Sequence, residues 1–205
     1  MSLIDQLKEK PWVESRAVID DQHDGRAIAV PRVTVGLRVF LAIVMVLFTL
    51  FVAAYTERMT FPDWRSLPIP TLLWLNTLVL ILSSVAFHWA RGAARRGRMD
   101  DVKTGLIAAG LLAFGFLLGQ LVAWQQLVDA GYFAKSNPAN AFFYLITALH
   151  GLHLTGGLVA WARTNVKIRR GVDVAQIRLS VDLCAVYWHF LLLIWLILFA
   201  LLLAT

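Results

Sequence analysis

Five stretches of apolar residues, each long enough to cross a bilayer, leave this chain few folds to choose from. They run over residues 33–55, 68–89, 104–127, 138–161 and 182–204. A spanning helix needs about 20 predominantly apolar residues, and all five stretches meet that length. Their apolar residues are continuous, without the strict alternation of a membrane-barrel strand. The expected fold is therefore all-α, a polytopic membrane helix bundle with five transmembrane helices. Composition agrees: 59% of the 205 residues are hydrophobic and 16% charged, where soluble domains carry about 25% charged residues. Residues 1–32 read as a mixed-charge cytoplasmic tail and 33–205 as the transmembrane domain.

The charges sort by loop. Lys8, Lys10, Arg16, Arg26, Arg32 and Arg38 precede or open the first stretch. Arg91, Arg95, Arg96, Arg98 and Lys103 fill the second loop, and Arg163, Lys167, Arg169, Arg170 and Arg178 the fourth. The opposite loops carry Arg58, Arg65 and Lys135, so the division is sixteen against three. Basic loops stay in the cytoplasm, which places the N-terminus inside and the C-terminus outside. The formal charge of +6 then reports topology and headgroup contact, and no nucleic-acid partner is expected. The tail carries six acidic residues and no apolar h-region, unlike a secretory signal. Leu3, Ile4 and Leu7 suit a short interfacial helix, although a plain extension is the simpler expectation. Cys184 is the single cysteine, so neither an internal disulfide nor a cysteine-rich metal site is expected.

Against this apolar background the polar residues stand out. His150 and His153 lie three residues apart in ALHGLHLTGG, and His189 follows in YWHF. Ionisable groups inside a bilayer normally face protein or water and mark a constraint. Counted at 1.5 Å per residue, His153 lies roughly 13 Å and His189 roughly 11 Å from the cytoplasmic ends of their stretches. Three readings stand: metal or haem ligation, structural hydrogen bonding between helices or to lipid headgroups, and a proton relay. A relay usually pairs histidine with a carboxylate, yet the first four stretches hold no Asp or Glu, and Asp182 sits only at the mouth of the fifth. At matching depth the histidines suggest a polar clasp between the fourth and fifth helices. Asn76 and Gln120 suggest further hydrogen bonds between helices. Gly115 with Gly119, and Thr147 with Gly151 and Thr155, recur at four-residue spacing, which permits close helix contact.

HGLH with Gly157 in one stretch, then YWHF with Trp195 in the next across a basic loop, resembles the cytochrome c oxidase subunit III family. LWLNT at 73–77, Ser83 with Ser84, and Gln120 extend the likeness from about residue 33 to the C-terminus. The resemblance implies an accessory subunit without catalytic, metal or cofactor-binding residues, packed beside subunit I of a haem–copper oxidase in the bacterial cytoplasmic membrane. That complex, with subunit II and others, reduces oxygen to water and pumps protons. Haem and copper are expected in the partner subunits and bound phospholipid against this one. His150, His153, Trp188, His189, Asn76, Gln120, Gly151, Gly157 and Trp195 would then be interhelical or lipid-contacting residues. The chain looks like a five-span form of a family whose longer members have seven. It departs from the family's usual membrane carboxylates at Val44, Ala123 and Leu192, which argues for a stabilising, lipid-holding role over one in proton uptake. A quinol oxidase subunit, an accessory protein of nitric oxide reductase and a small di-histidine membrane cytochrome are the alternatives.

Overall fold

The computed structural model describes residues 32–172 and 174–204. The tail expected at 1–32, with its interfacial helix, lies outside them except for Arg32. The chain divides into two compact units, 1–35 and 36–205, and of the first only the opening of a helix is described. Among the described residues there are five α-helices and no strands: α1 (Arg32–Arg58), α2 (Leu72–Arg95), α3 (Met99–Asp129), α4 (Pro138–Arg169) and α5 (Val174–Leu203). The shortest, α2, has 24 residues and is about 36 Å long, more than the roughly 30 Å of a hydrocarbon core. All five are long and apolar enough to cross a membrane.

Local chemistry explains the ends. The second helix starts at Leu72, not at Pro68 as hydropathy suggests, because Pro68 and Pro70 push the residues before them out of the helical region. Helix α4 starts where expected: Pro138 occupies its first turn, and the Asn137 side chain accepts a bond from the Ala139 amide at 3.2 Å. Helices α2, α3 and α4 all stop at a glycine with positive φ, Gly97 (71°), Gly131 (86°) and Gly171 (66°). In each case the next amide bonds back to the last turn, as in Arg98 to the Ala93 carbonyl at 3.1 Å. The stops of α2 and α4 lie well past the apolar stretches, and that of α3 lies just past. Helix α4 continues from Trp161 to Arg169 because backbone hydrogen bonding does not end where hydropathy does.

Helices α2, α3, α4 and α5 form a closed ring, each packed on the next and α5 returning to α2. Close approach occurs where a side chain is missing. A methyl built on Gly110 of α3 would lie 2.3 Å from the Trp161 ring of α4, and one on Gly157 of α4 would lie 2.8 Å from the Tyr187 ring of α5. The four-residue spacings hold at one member of each set, Gly119 against Asn76 of α2 and Thr147 against Trp124 of α3, and not at the others. Gly115 and Gly151 both have room for a methyl, with nearest atoms at 3.9 and 3.6 Å, and Thr155 is exposed. Helix α1 is peripheral. Only 11% of its apolar window is buried, against 39–44% in the others, and Val44, Phe48 and Tyr55 are its buried residues.

Candidate functional site: a polar seam and an enclosed histidine

Thr77, Ser84 and Arg91 recur every seven residues on α2 and therefore share one face. Asp182, His189 and Trp195 climb α5 at nearly the same interval. The two rows meet antiparallel, rung by rung. Arg91 Nε donates to Asp182 Oδ1 at 2.6 Å, with Arg95 at 3.6 Å from the same oxygen. One rung further in, Ser84 Oγ is hydrogen-bonded to His189 Nδ1, and the His88 ring lies 5.9 Å from that of His189. Beside it, Trp188 Nε1 donates to Ser83 Oγ at 2.9 Å, and Ser83 in turn donates to the Ala109 carbonyl of α3 at 2.8 Å. At the far end Trp195 Nε1 donates to Thr77 Oγ1 at 3.0 Å. Both tryptophans are fully buried.

This seam corrects the clasp expected between the fourth and fifth helices. His189 turns to α2 instead of α4, because the serine hydroxyl sits at its level on the nearer face. What joins α4 to α5 is Tyr187, whose hydroxyl donates to the His153 carbonyl at 2.8 Å, and the seating of Tyr187 and Trp188 against Gly157. The His153 ring is half-buried. Its Nδ1 is spent inside α4, donating to the Leu149 carbonyl at 2.7 Å, and its ring lies 5.5 Å from Phe48.

His150 has another environment. It is fully buried, with ring centroids of Trp195 at 5.1 Å, Phe116 at 5.8 Å and Phe48 at 6.5 Å. Four helices thus contribute to one aromatic layer. Neither His150 nitrogen has a hydrogen-bond partner among the described residues. Nor do both amide atoms of Gln120, nor Nδ2 of Asn76, which is pressed so close to Gly119 that a methyl there would lie 2.0 Å from Asn76 Oδ1. Among the described residues the bonds between helices expected of Gln120 are therefore not formed. The indole of Trp124 does cross from α3 to α4, donating to Thr147 Oγ1 at 3.1 Å. Among the described residues no three His, Cys, Asp or Glu side chains converge as a metal's ligands would.

Comparison with known proteins decides which lineage built this bundle. The family model for cytochrome c oxidase subunit III matches residues 20–204. The chain belongs to the cytochrome c oxidase subunit III family. The probable cytochrome c oxidase subunit 3 of Mycobacterium tuberculosis (strain ATCC 25618 / H37Rv) is 33% identical over 175 residues, 82% of this chain and 85% of that protein. The cytochrome c oxidase subunit 3 of Thermostichus vulcanus is 31% identical over 196 residues, covering 88% and 94%. That of Nocardia farcinica (strain IFM 10152) is 27% identical over 173 residues, covering 82% and 85%. A subunit III is part of a multi-subunit complex, and five spanning helices make this one a multi-pass membrane protein. Within the subunit III fold, Val44 and Ala123 are buried apolar residues, and Leu192 is half-buried.

Ser83 and Thr77, the acceptors of the two indoles, carry more of the seam than hydropathy suggests. Their signal is positional. Thr77 and Ser83 are six residues apart on α2 and Trp188 and Trp195 seven apart on α5, and hydroxyls beside a tryptophan-bearing helix are ready acceptors for indole N–H groups.

Proposed function

We propose that this chain is a non-catalytic subunit of a bacterial haem–copper respiratory oxidase, packed beside subunit I in the cytoplasmic membrane, where it stabilises the catalytic core and holds lipid. The N-terminus faces the cytoplasm and the C-terminus the outside. The assembled complex takes electrons from cytochrome c, reduces oxygen to water and pumps protons. Haem and copper belong to the partner subunits.

The observation that carries this reading is the α2–α5 seam. Its polar side chains are used on each other, indole to hydroxyl, imidazole to hydroxyl and guanidinium to carboxylate. Such pairs fix how helices sit against one another where no hydrophobic effect drives them together. That is the chemistry of a scaffold. Helix α1, exposed along most of its length, leaves ample apolar surface for partner helices and lipid. The test is purification in mild detergent from the native membrane. Subunit I is expected to travel with this chain, and recovery of the chain without any oxidase subunit would refute the reading. Replacing His153 with Leu is expected to leave the haem spectrum of the complex unchanged. A lost haem band would move the chain from scaffold to cytochrome.

A further inference from the structure

His88 differs from the other polar residues along the α2–α5 seam. Those bond to a neighbour, whereas His88 is exposed and has no hydrogen-bond partner among the described residues. Its ring nonetheless reaches α5, 5.9 Å from the His189 ring between centroids and inclined to it by 47°. We propose that these two imidazoles form a binding site for a zinc-class divalent ion, which ties α2 to α5 at the basic end of the seam.

The spacing suits a shared ion. With zinc–nitrogen bonds of about 2.0–2.1 Å, each ring centroid lies about 3.2 Å from the metal, so two centroids are about 5.2 Å apart at a tetrahedral angle and about 6.4 Å when opposed. The observed 5.9 Å falls between these limits. One of the two rings is already oriented. Nδ1 of His189 is hydrogen-bonded to Ser84 Oγ, and a histidine that ligates a metal through one nitrogen almost always has the other engaged in this way. With Nδ1–H donating to the hydroxyl, Nε2 carries the lone pair. Ser84 is buried, and His88 lies four residues further along α2, so the hydroxyl and the second imidazole share one helix face. Beyond them Arg91 and Arg95 would repel a cation if they stood alone. Asp182 lies against both, at 2.6 and 3.6 Å, and offsets one of the two charges. His88 adjoins the exposed Trp89 at the level where indoles and basic side chains meet the headgroups, so an ion can arrive from water. Imidazole also selects the ion, because zinc, copper and nickel suit nitrogen ligands while magnesium and calcium take oxygens. Two protein ligands leave the remaining positions to water, which makes the site open and exchangeable, unlike a closed structural site with four protein ligands.

The test is a zinc count. The chain is purified from the native membrane with the subunits that accompany it, stripped with a chelator, and dialysed to equilibrium against zinc. Zinc bound elsewhere in the complex is common to all variants, so the difference between them isolates the pair. His88→Gln is the clean variant, because His88 supports no hydrogen bond among the described residues, and it is expected to bind one zinc fewer than the unaltered protein. Ser84→Ala should reach the unaltered count at saturation but need about tenfold more zinc to do so. His153→Leu, which removes a half-buried histidine outside the pair, should change neither. Zinc should also raise the midpoint of chemical unfolding, a shift that His88→Gln abolishes. An unchanged zinc count in His88→Gln, or a loss of the same size in His153→Leu, would overturn the site. Displacement of the ion by excess magnesium would overturn its assignment to the zinc class, and equal zinc affinity in Ser84→Ala would overturn the orienting role of the serine. The zinc difference can be read on this chain whether or not an oxidase core accompanies it.

Discussion

Along the α2–α5 seam His189 has a serine hydroxyl, Trp188 and Trp195 have hydroxyl acceptors, and Arg91 has a carboxylate. A few ångströms away, in the aromatic layer, His150 is more deeply buried and has no polar partner among the described residues. The two regions share one helix and even one residue, since Trp195 bonds to Thr77 with its N–H and packs on His150 with its ring. The seam sets register, because sliding α5 by a residue would break every rung at once. The aromatic layer is non-directional and tolerates small shifts. An unpartnered buried polar group costs about 1–3 kcal/mol, so the layer gives up stability that the seam does not.

That contrast can be broken or sharpened by experiment. The largest effect is expected from Trp188→Ala, which opens a cavity and strips Ser83 of its donor, and should cost about 4 kcal/mol of stability. Chemical unfolding of the purified subunit or complex in detergent would measure it. A loss below about 1 kcal/mol would mean that the seam is not a principal support.

The central comparison is between two histidine-to-leucine changes. His189→Leu deprives Ser84 of its partner and should cost about 1–2 kcal/mol. His150→Leu removes two nitrogens that have no partner among the described residues, keeps a buried side chain of similar size, and should be neutral to within about 0.5 kcal/mol or slightly stabilising. If His150→Leu proved the more damaging of the two, the layer would have to contain a polar partner from elsewhere in the complex.

The smallest effect is expected far from both regions, in the α1–α2 loop. Arg58 holds Asp63 through paired guanidinium–carboxylate bonds, which lower the Asp63 carboxyl below the usual carboxylate range. Because the folded value is the lower one, the contribution is fully present above about pH 4, the ordinary aspartate value, and fades as the pH falls through the folded value. Both groups are solvent-exposed, so the term is small. Asp63→Asn should lower the neutral plateau of a stability–pH profile slightly and leave the stability at low pH unchanged, which flattens the acid limb. A drop at neutral pH as large as that of His189→Leu would show that the loop depends on the ion pair for more than charge.

Much of this molecule is legible in the chain. The five helices follow from hydropathy, and three of their ends can be read from Gly97, Gly131 and Gly171 once helices are allowed to outrun the apolar stretch. The seam is half legible, as sevens on α2 and a seven followed by a six on α5. HGLH and YWHF point to the family, which the comparisons bear out. The pairing of those motifs is another matter. Depth along the membrane puts His153 and His189 at one level, but level is a single coordinate, and hydrogen bonding also requires the right rotation about each helix axis. Ser84 meets that requirement and α4 does not. Gly151 and Gly157 look alike in the sequence, yet only Gly157 lies under an aromatic ring.

The sequence by itself determined how many helices cross the membrane, which glycines end three of them and which loops carry charge. Length, hydropathy and glycine conformation act along the chain and need no neighbour. Tertiary structure alone decided that α2 is the partner of α5, that His150 is enclosed among rings, and that the His88 ring comes beside that of His189. Each of those depends on which helix faces reach each other, a relation between residues far apart in the chain that its linear pattern leaves open.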